Sequence, residues 1–326
     1  MAHPVYHLRP HKAVDRNLFC EALIHIGKIA DLSKYRYIGF GSYEFDEYKL
    51  LYRMVGLEDM HSIERDSNIY DRQKFNKPYA SIHLFNKDCT AYFDEDYDET
   101  KQSIVWLDFS DAHDKRSQCN DIAYVCGKLA ENDILRITMN AQPSSIKITD
   151  NRDRDISSEE KSRLRFNELK KLLGNYFPDD ATPEDVTQEK YPLLLSKIVR
   201  NAAYADLDEK LAPIPLCTYS YTDGQQMMTV TLIMGRSDDD SKTKKLEELC
   251  KAFSDWQDYS CVGGWEQIIK IDLPPLTVHE QLELRQAPRT EKGLKDVSDR
   301  TGIRPEDIQK YYKYVRYYPN FQPVTI

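Results

Sequence analysis

Two glycines, Gly39 and Gly41, close a short apolar run, Tyr35-Arg36-Tyr37-Ile38-Gly39-Phe40-Gly41, and a carboxylate, Glu64, ends the next run, Asp59 to Ile63. Glycine at such a turn tolerates positive φ and lets another group approach the backbone closely. A helical pattern starts at once, with Phe45, Tyr48, Leu51, Tyr52 and Val55 at three- and four-residue steps. The start of such a helix offers free N–H groups and a positive dipole end to an anionic ligand. Strand, glycine turn, helix, second strand and terminal acid describe a nucleoside-binding βαβ unit. Two glycines alone would mark only a turn; Glu64 makes the difference.

The same alternation continues. Ala80 to Phe85 reads as a third strand, followed by Asn86-Lys87-Asp88, and Ser103 to Leu107 as a fourth, ending in Asp108-Phe109-Ser110-Asp111 with His113 just beyond. A helix from about Arg116 to Ala130 leads to a strand from Ile134 to Met139, ended by Asn140. Alternating strands and helices imply parallel pairing with helices on both faces, and ligands then bind beyond the carboxyl ends of the strands. Gly39, Gly41, Glu64, Asp88, Asp108, Asp111 and Asn140 stand there. For Asp108 and Asp111 the competing reading is capping of the Arg116 helix; for His113 it is a surface loop. Should an acceptor hydroxyl sit beside them, Asp111 and His113 are the candidate bases.

The elements that must position these residues begin with a helix from His11 to Ile29. Its apolar stripe is Leu18, Phe19, Ala22, Leu23 and Ile26, and Lys12 and Arg16 fall on one face with Arg9 upstream. Those cations read as a surface stripe, the alternative being that they line the mouth of the nucleoside site. Residues 1–34 form this helical entry and 35–236 the sheet domain, interrupted by a helical insertion at 151–215 in which Ser157 and Glu160 form a capping-box pattern. Leu216 to Met234 is a hairpin about Asp223-Gly224, a pair suited to a type I′ turn. Residues 237–326 form a helical C-terminal segment after a polar linker, Ser237 to Thr243. In it, Leu294 to Ile308 has helix–turn–helix spacing, with Gly302 in the turn and Pro305 opening the second helix. Tyr311, Tyr314, Val315 and Tyr318 then recur at helical spacing. Packing on the main domain, a partner protein or a second copy is preferred there over contact of Arg304, Lys310, Lys313 and Arg316 with DNA.

The chain has 326 residues, 40% apolar and 30% charged, with a net charge of −9, which argues against whole-surface affinity for nucleic acid. Acids cluster at Asp94 to Glu99, Asp150 to Asp155 and Asp238 to Asp240, as solvated loops do. No stretch has the apolar length of a membrane span, and Met1 to Pro10 lacks a signal-peptide core, so a cytoplasmic protein is expected. Seven scattered cysteines, Cys20, Cys126 and Cys250 among them, read as buried reduced thiols. The eight histidines show no metal-ligand spacing, and no metal is expected. A third dinucleotide-motif glycine would have to replace Glu44, whose carboxylate would repel a pyrophosphate, which disfavours a nicotinamide oxidoreductase. No phosphate-loop segment of the ATPase type exists.

From Tyr35 to Met234, parallel βα units followed by a late antiparallel hairpin resemble the class I S-adenosylmethionine-dependent methyltransferases. The glycine segment, Ser62-Ile63-Glu64 and Trp106-Leu107-Asp108 also resemble uncharacterised bacterial methyltransferase-like proteins. The resemblance implies an α/β, doubly wound, mostly parallel Rossmann-like sheet with S-adenosylmethionine as cofactor. It places Gly39, Phe40 and Gly41 at the methionine part, Glu64 on the ribose hydroxyls, Asp88 on the adenine amino group, and Asp108 near the methionine end. Two departures stand out. Tyr43 falls where the family has a third glycine, and Asp108-Phe109-Ser110-Asp111 is not the Asp/Asn-Pro-Pro-Tyr/Phe signature of amino-directed nucleic-acid methyltransferases. The expected activity is methyl transfer to an acceptor the residues leave open. The alternative is a non-catalytic subunit of a bacterial assembly, its pocket plugged by Phe40 and Tyr43.

Overall fold

The computed structural model describes residues 9–148 and 156–319. The acidic run from Asp150 to Asp155 lies outside the described residues, as does most of the polar start. Five parallel strands follow the alternation read from the sequence: β1 (Arg36–Phe40), β2 (Asp59–Ile63), β3 (Ile82–Phe85), β4 (Ser103–Asp108) and β5 (Ile134–Asn140). The hairpin strands β6 (Leu211–Asp223) and β7 (Gln225–Arg236) and a short β8 (Ile269–Lys270) complete one sheet. Its order is β3-β2-β1-β4-β5-β7-β6-β8. β7 runs antiparallel to both β5 and β6. This is the mostly parallel, doubly wound sheet with a late hairpin that the resemblance implied. Strand order reverses between β1 and β4, which fixes the crevice at their carboxyl ends.

Helices cover both faces. On one lie α1 (Pro10–Ile26), α2 (Asp46–Val55) and α8 (Asp239–Ala252), where Leu18, Leu23, Tyr48, Leu51 and Leu249 bury against Tyr37, Met60 and Ile104. On the other lie α4 (Cys89–Glu95), α5 (Lys115–Cys126), α6 (Ser158–Leu173) and α7 (Tyr191–Ala205), which bury Tyr92, Ile122, Leu169 and Ile198 against Ile38, Val105 and Ile137. Each fully buried aliphatic side chain contributes roughly 1.5–3 kcal/mol, so Ile134, Leu135, Ile137 and Met139 hold β5, which is buried at all seven positions, from both sides. A short α3 (Ser67–Asn76) joins β2 to β3.

Several boundaries differ from the sequence reading. β6 begins at Leu211, within the block read as helical. The supposed linker at Ser237 to Thr243 is the start of α8, with Asp238 accepting from the Ser241 N–H. At the hairpin tip only Gly224 has positive φ, at 83°, so the turn is not type I′, which needs two such residues. Asp223 is committed elsewhere, as described below. Cys250 is exposed, whereas the other six cysteines are buried.

The C-terminal helices α9 (Val278–Gln286), α10 (Glu291–Thr301) and α11 (Pro305–Tyr314) have the predicted spacing, with Gly302 in the left-handed region at φ 75°. The apolar side of α11 is turned inward. Ile308 and Tyr311 pack with Leu284, Val297 and Ile303, and Tyr314 and Tyr317 join the main core. Of the basic residues there, Arg304 pairs with Asp307 and Lys310 with Asp272.

Candidate cofactor and methyl-transfer site

The turn after β1 is shaped by close approach. A Cβ on Gly41 would stand 1.9 Å from Ser62 Oγ and 2.5 Å from Gln73 Nε2, and one on Gly39 would stand 2.4 Å from the Tyr37 hydroxyl oxygen. Neither glycine has positive φ; the left-handed residue is Phe45, at φ 53°, which precedes α2 and is fully buried. Such a conformation costs of order 1–3 kcal/mol, offset here by packing of the Phe45 ring edge-on to Tyr48 at 5.3 Å. The Tyr48 hydroxyl donates to the carbonyls of Gly39 and His61, tying β1 and β2 to α2.

At the β1/β4 mouth the charges are paired and largely withdrawn from water. Lys12 Nζ lies 2.8 Å from Asp108 Oδ2, and Arg16 reaches Asp46 at 3.4 Å and Glu47 at 3.8 Å. Lys12 and Arg16 are only 7% and 8% exposed, so the surface-stripe reading is overturned: α1 turns its cations into the crevice. The reason is visible at both ends of that helix segment. Asp223, at the hairpin tip, accepts from the Lys12 N–H at 2.7 Å and meets His11 Nδ1 at 3.0 Å. One turn on, Asp15 is paired with Arg136 at 2.6 Å, both 0% exposed, with Thr229 donating to the same oxygen. Burial pushes the Glu47 carboxyl up, against the opposing pull of Arg16.

The β2/β3 mouth is built differently. Glu64, half-buried, accepts from the Asp66 N–H at 2.8 Å through Oε1, and its own backbone is fixed by Phe85 and Asn86. Burial raises its carboxyl above the ordinary range. Asp88 is exposed and caps α4, accepting from the Ala91 N–H at 2.8 Å. Nearby on α5, Asp121 is pushed up to about 6, first by burial and then by the charges of Asp88 and Asp114.

Beyond β4, Asp111 is exposed and accepts from the His113 N–H at 2.7 Å, which together with the Asp114 N–H holds its carboxyl down. His113 Nδ1 donates to the Ser145 carbonyl at 2.7 Å. The cap of α5 is Asp114, through Ser117 N–H, so capping by Asp108 or Asp111 is overturned. Asn140 is taken up by Gln225 and Gln142. Phe40 meets Phe109 edge-on at 5.8 Å, and the Arg72 guanidinium carbon lies over the Tyr43 ring, 3.4 Å from the ring centroid. A groove of about 360 Å³ opens beside the turn, lined by Tyr43, Glu44, Asp46, Lys49, Arg72 and Asn76.

Sequence reasoning missed Asp46, Glu47 and Asp223 as partners of α1. It also missed that strand pairing sets Asp59, His61 and His83 within 4.8 Å of one another.

A family model described as Putative O-methyltransferase matches residues 4–326. No protein of curated function matches the chain. Among solved structures, Trm1 from Pyrococcus horikoshii with S-adenosyl-L-methionine is 12% identical, with a TM-score of 0.42 over 72% of this chain. The chain spans 57% of the length of that protein. N-methyltransferase NodS from Bradyrhizobium japonicum WM9 with S-adenosyl-L-homocysteine is 10% identical (TM-score 0.33, covering 70% of this chain and 98% of NodS). An O-methyltransferase family protein from Burkholderia thailandensis is 14% identical (TM-score 0.32, 67% and 59%). The fold assignment rests on the strand order rather than on these likenesses.

Proposed function

The chain belongs to that O-methyltransferase family, and from this premise we propose that it binds S-adenosylmethionine across the carboxyl ends of β1 to β4 and transfers its methyl group. The observation that carries the reading is Glu64. It is a half-buried carboxylate at the end of β2, beside the glycine turn, with one oxygen oriented by a backbone N–H. The donor set around it fits the group: a carboxylate for a ribose diol, an exposed acid at Asp88 for an adenine amine, and opposed charges at Lys12, Arg16, Asp46 and Asp108 for a methionine zwitterion. In this reading Gly39, Phe40 and Gly41 lie against the methionine part.

When bound, the cofactor supplies an electrophilic methyl on sulfonium. The protein's part is alignment, and holding reactants at near-attack distance contributes several kcal/mol to such reactions. Lys12 fixes the Asp108 carboxylate, and the Asp223 and Asp15 contacts fix α1 and hence Lys12. Asp111 and His113 stand on the loop after β4, where an acceptor hydroxyl would meet a base. Residues 35–236 form the catalytic unit in this reading, with 237–326 packed on it.

Calorimetry on the purified protein tests the assignment with S-adenosylmethionine, S-adenosylhomocysteine and NAD. The first two should bind at one site and NAD should not; binding of NAD alone would replace this reading with a dinucleotide one.

A further inference from the structure

Asp59 and His61 stand two residues apart on β2, so their side chains share a face. His83 is the register partner of His61 on β3. Asp59 Oδ1 and His61 Nε2 are 3.2 Å apart, and the three ligand atoms all lie within 4.8 Å of one another. Around a tetrahedral zinc ion with bonds of about 2.0–2.2 Å, neighbouring ligand atoms sit about 3.3 Å apart. The first pair already has that spacing. His83 is exposed, so its ring can turn to close the third distance without disturbing the core.

We propose that Asp59, His61 and His83 bind one divalent transition-metal ion of the zinc class, across β2 and β3. Two imidazoles and one carboxylate suit zinc and its neighbours better than magnesium or calcium, which prefer oxygen. The surroundings supply the supports such ligands use. His61 Nδ1 lies 2.6 Å from the Tyr92 hydroxyl, so with Nε2 on the ion, Nδ1–H donates to Tyr92. The second oxygen of Asp59 accepts from Arg36 at 3.2 Å and Lys101 at 2.8 Å, leaving Oδ1 for the ion. The same two cations oppose a third positive charge, which makes an ion-pair cluster without metal the competing account. Three protein ligands leave a fourth position for water.

An ion here would staple the sheet edge. β3 has four residues and, among the described residues, pairs on one side only. Glu64 lies three residues beyond His61, and Asp88 three beyond Phe85. The ion would therefore hold the two strands that carry the adenosine-side acids, a consequence that rests on the proposed cofactor site, whereas the metal site itself does not.

Full-length protein, stripped with a chelator, is titrated with Co²⁺ and then Zn²⁺. One Co²⁺ should bind with the visible absorption of a tetrahedral nitrogen–oxygen site and be displaced by Zn²⁺, and Zn²⁺ should raise the Tm. His83→Ala, at an exposed position, should keep the metal-free Tm. It should weaken Zn²⁺ binding by more than the roughly 10- to 100-fold expected for Tyr92→Phe, which removes only a supporting hydrogen bond. Absence of saturable binding in the wild type, or binding that survives His83→Ala but is lost in Cys250→Ser, overturns the proposal. S-adenosylhomocysteine binding, measured separately, leaves the metal result readable either way.

Discussion

At the β1/β4 mouth, the buried cations Lys12 and Arg16 each face carboxylates from other elements; at the β2/β3 mouth, the Glu64 and Asp88 carboxylates accept backbone N–H groups from their own turns. Both lie at the carboxyl ends of the parallel strands, yet the first is a set of long-range ion pairs and the second a pair of local turns. Charge in the first couples the crevice to α1, β5 and the hairpin, so its residues bear on stability. Charge in the second is held by a few neighbouring residues, so removing Glu64 or Asp88 should cost the fold little.

The largest break comes from the anchor of the first mouth. Asp15→Ala leaves Arg136 buried and unpaired, and removing one partner of a buried pair costs roughly 3–5 kcal/mol; urea unfolding of the variant should show that loss. Lys115 sharpens the contrast from the other side, because it is a buried cation on the β4 side whose nearest hydrogen-bond partner is the neutral Gln118, at 3.5 Å. Burial lowers it to about 8 from 10.5. Between those values the unfolded chain binds more protons than the folded one, so stability rises with pH across that window. Below about pH 8 the penalty is fully present. Lys115→Met should therefore be more stable by roughly 3 kcal/mol at pH 7, and the gain should vanish by about pH 10.5 in matched unfolding curves.

The second mouth should respond weakly. Asp88→Ala removes the cap of α4, for a loss of about 1 kcal/mol in the same assay. Glu64→Ala removes one local turn contact and should stay within roughly 0.5 kcal/mol of wild type. A large loss at Glu64 would place it with the anchored mouth and undo the distinction.

The positions of Glu64 and Asp88 were legible in the sequence because each follows an apolar run, Asp59 to Ile63 and Ala80 to Phe85; the short helix that Asp88 caps was not. The sheet was legible for the same reason, through strand and helix periodicity and the Asp223-Gly224 turn. Of the first mouth, that the α1 cations line it was legible only as the less favoured alternative, and their partners Asp46, Glu47 and Asp223 were not. Lys12 and Arg16 have the spacing of any exposed helix face, and only the return of β6–β7 brings Asp223 onto His11 and Lys12, 211 residues away from the latter. Asp59, His61 and His83 were invisible likewise, since 22 residues separate histidines that parallel pairing makes neighbours. Phe45 hid its left-handed backbone, because position in the helical pattern made it look like a helix residue.

The role proposed for Glu64 at the cofactor's ribose can be measured directly. Titrating S-adenosylhomocysteine into wild-type protein and into folded Glu64→Ala measures it. A charge-assisted contact to the ribose diol is worth roughly 1.5–3 kcal/mol, or about 10- to 150-fold in Kd, so the variant should bind that much more weakly with its Tm unchanged. Equal affinity in the two proteins would contradict the site at the end of β2, and no binding to either would contradict the cofactor assignment itself.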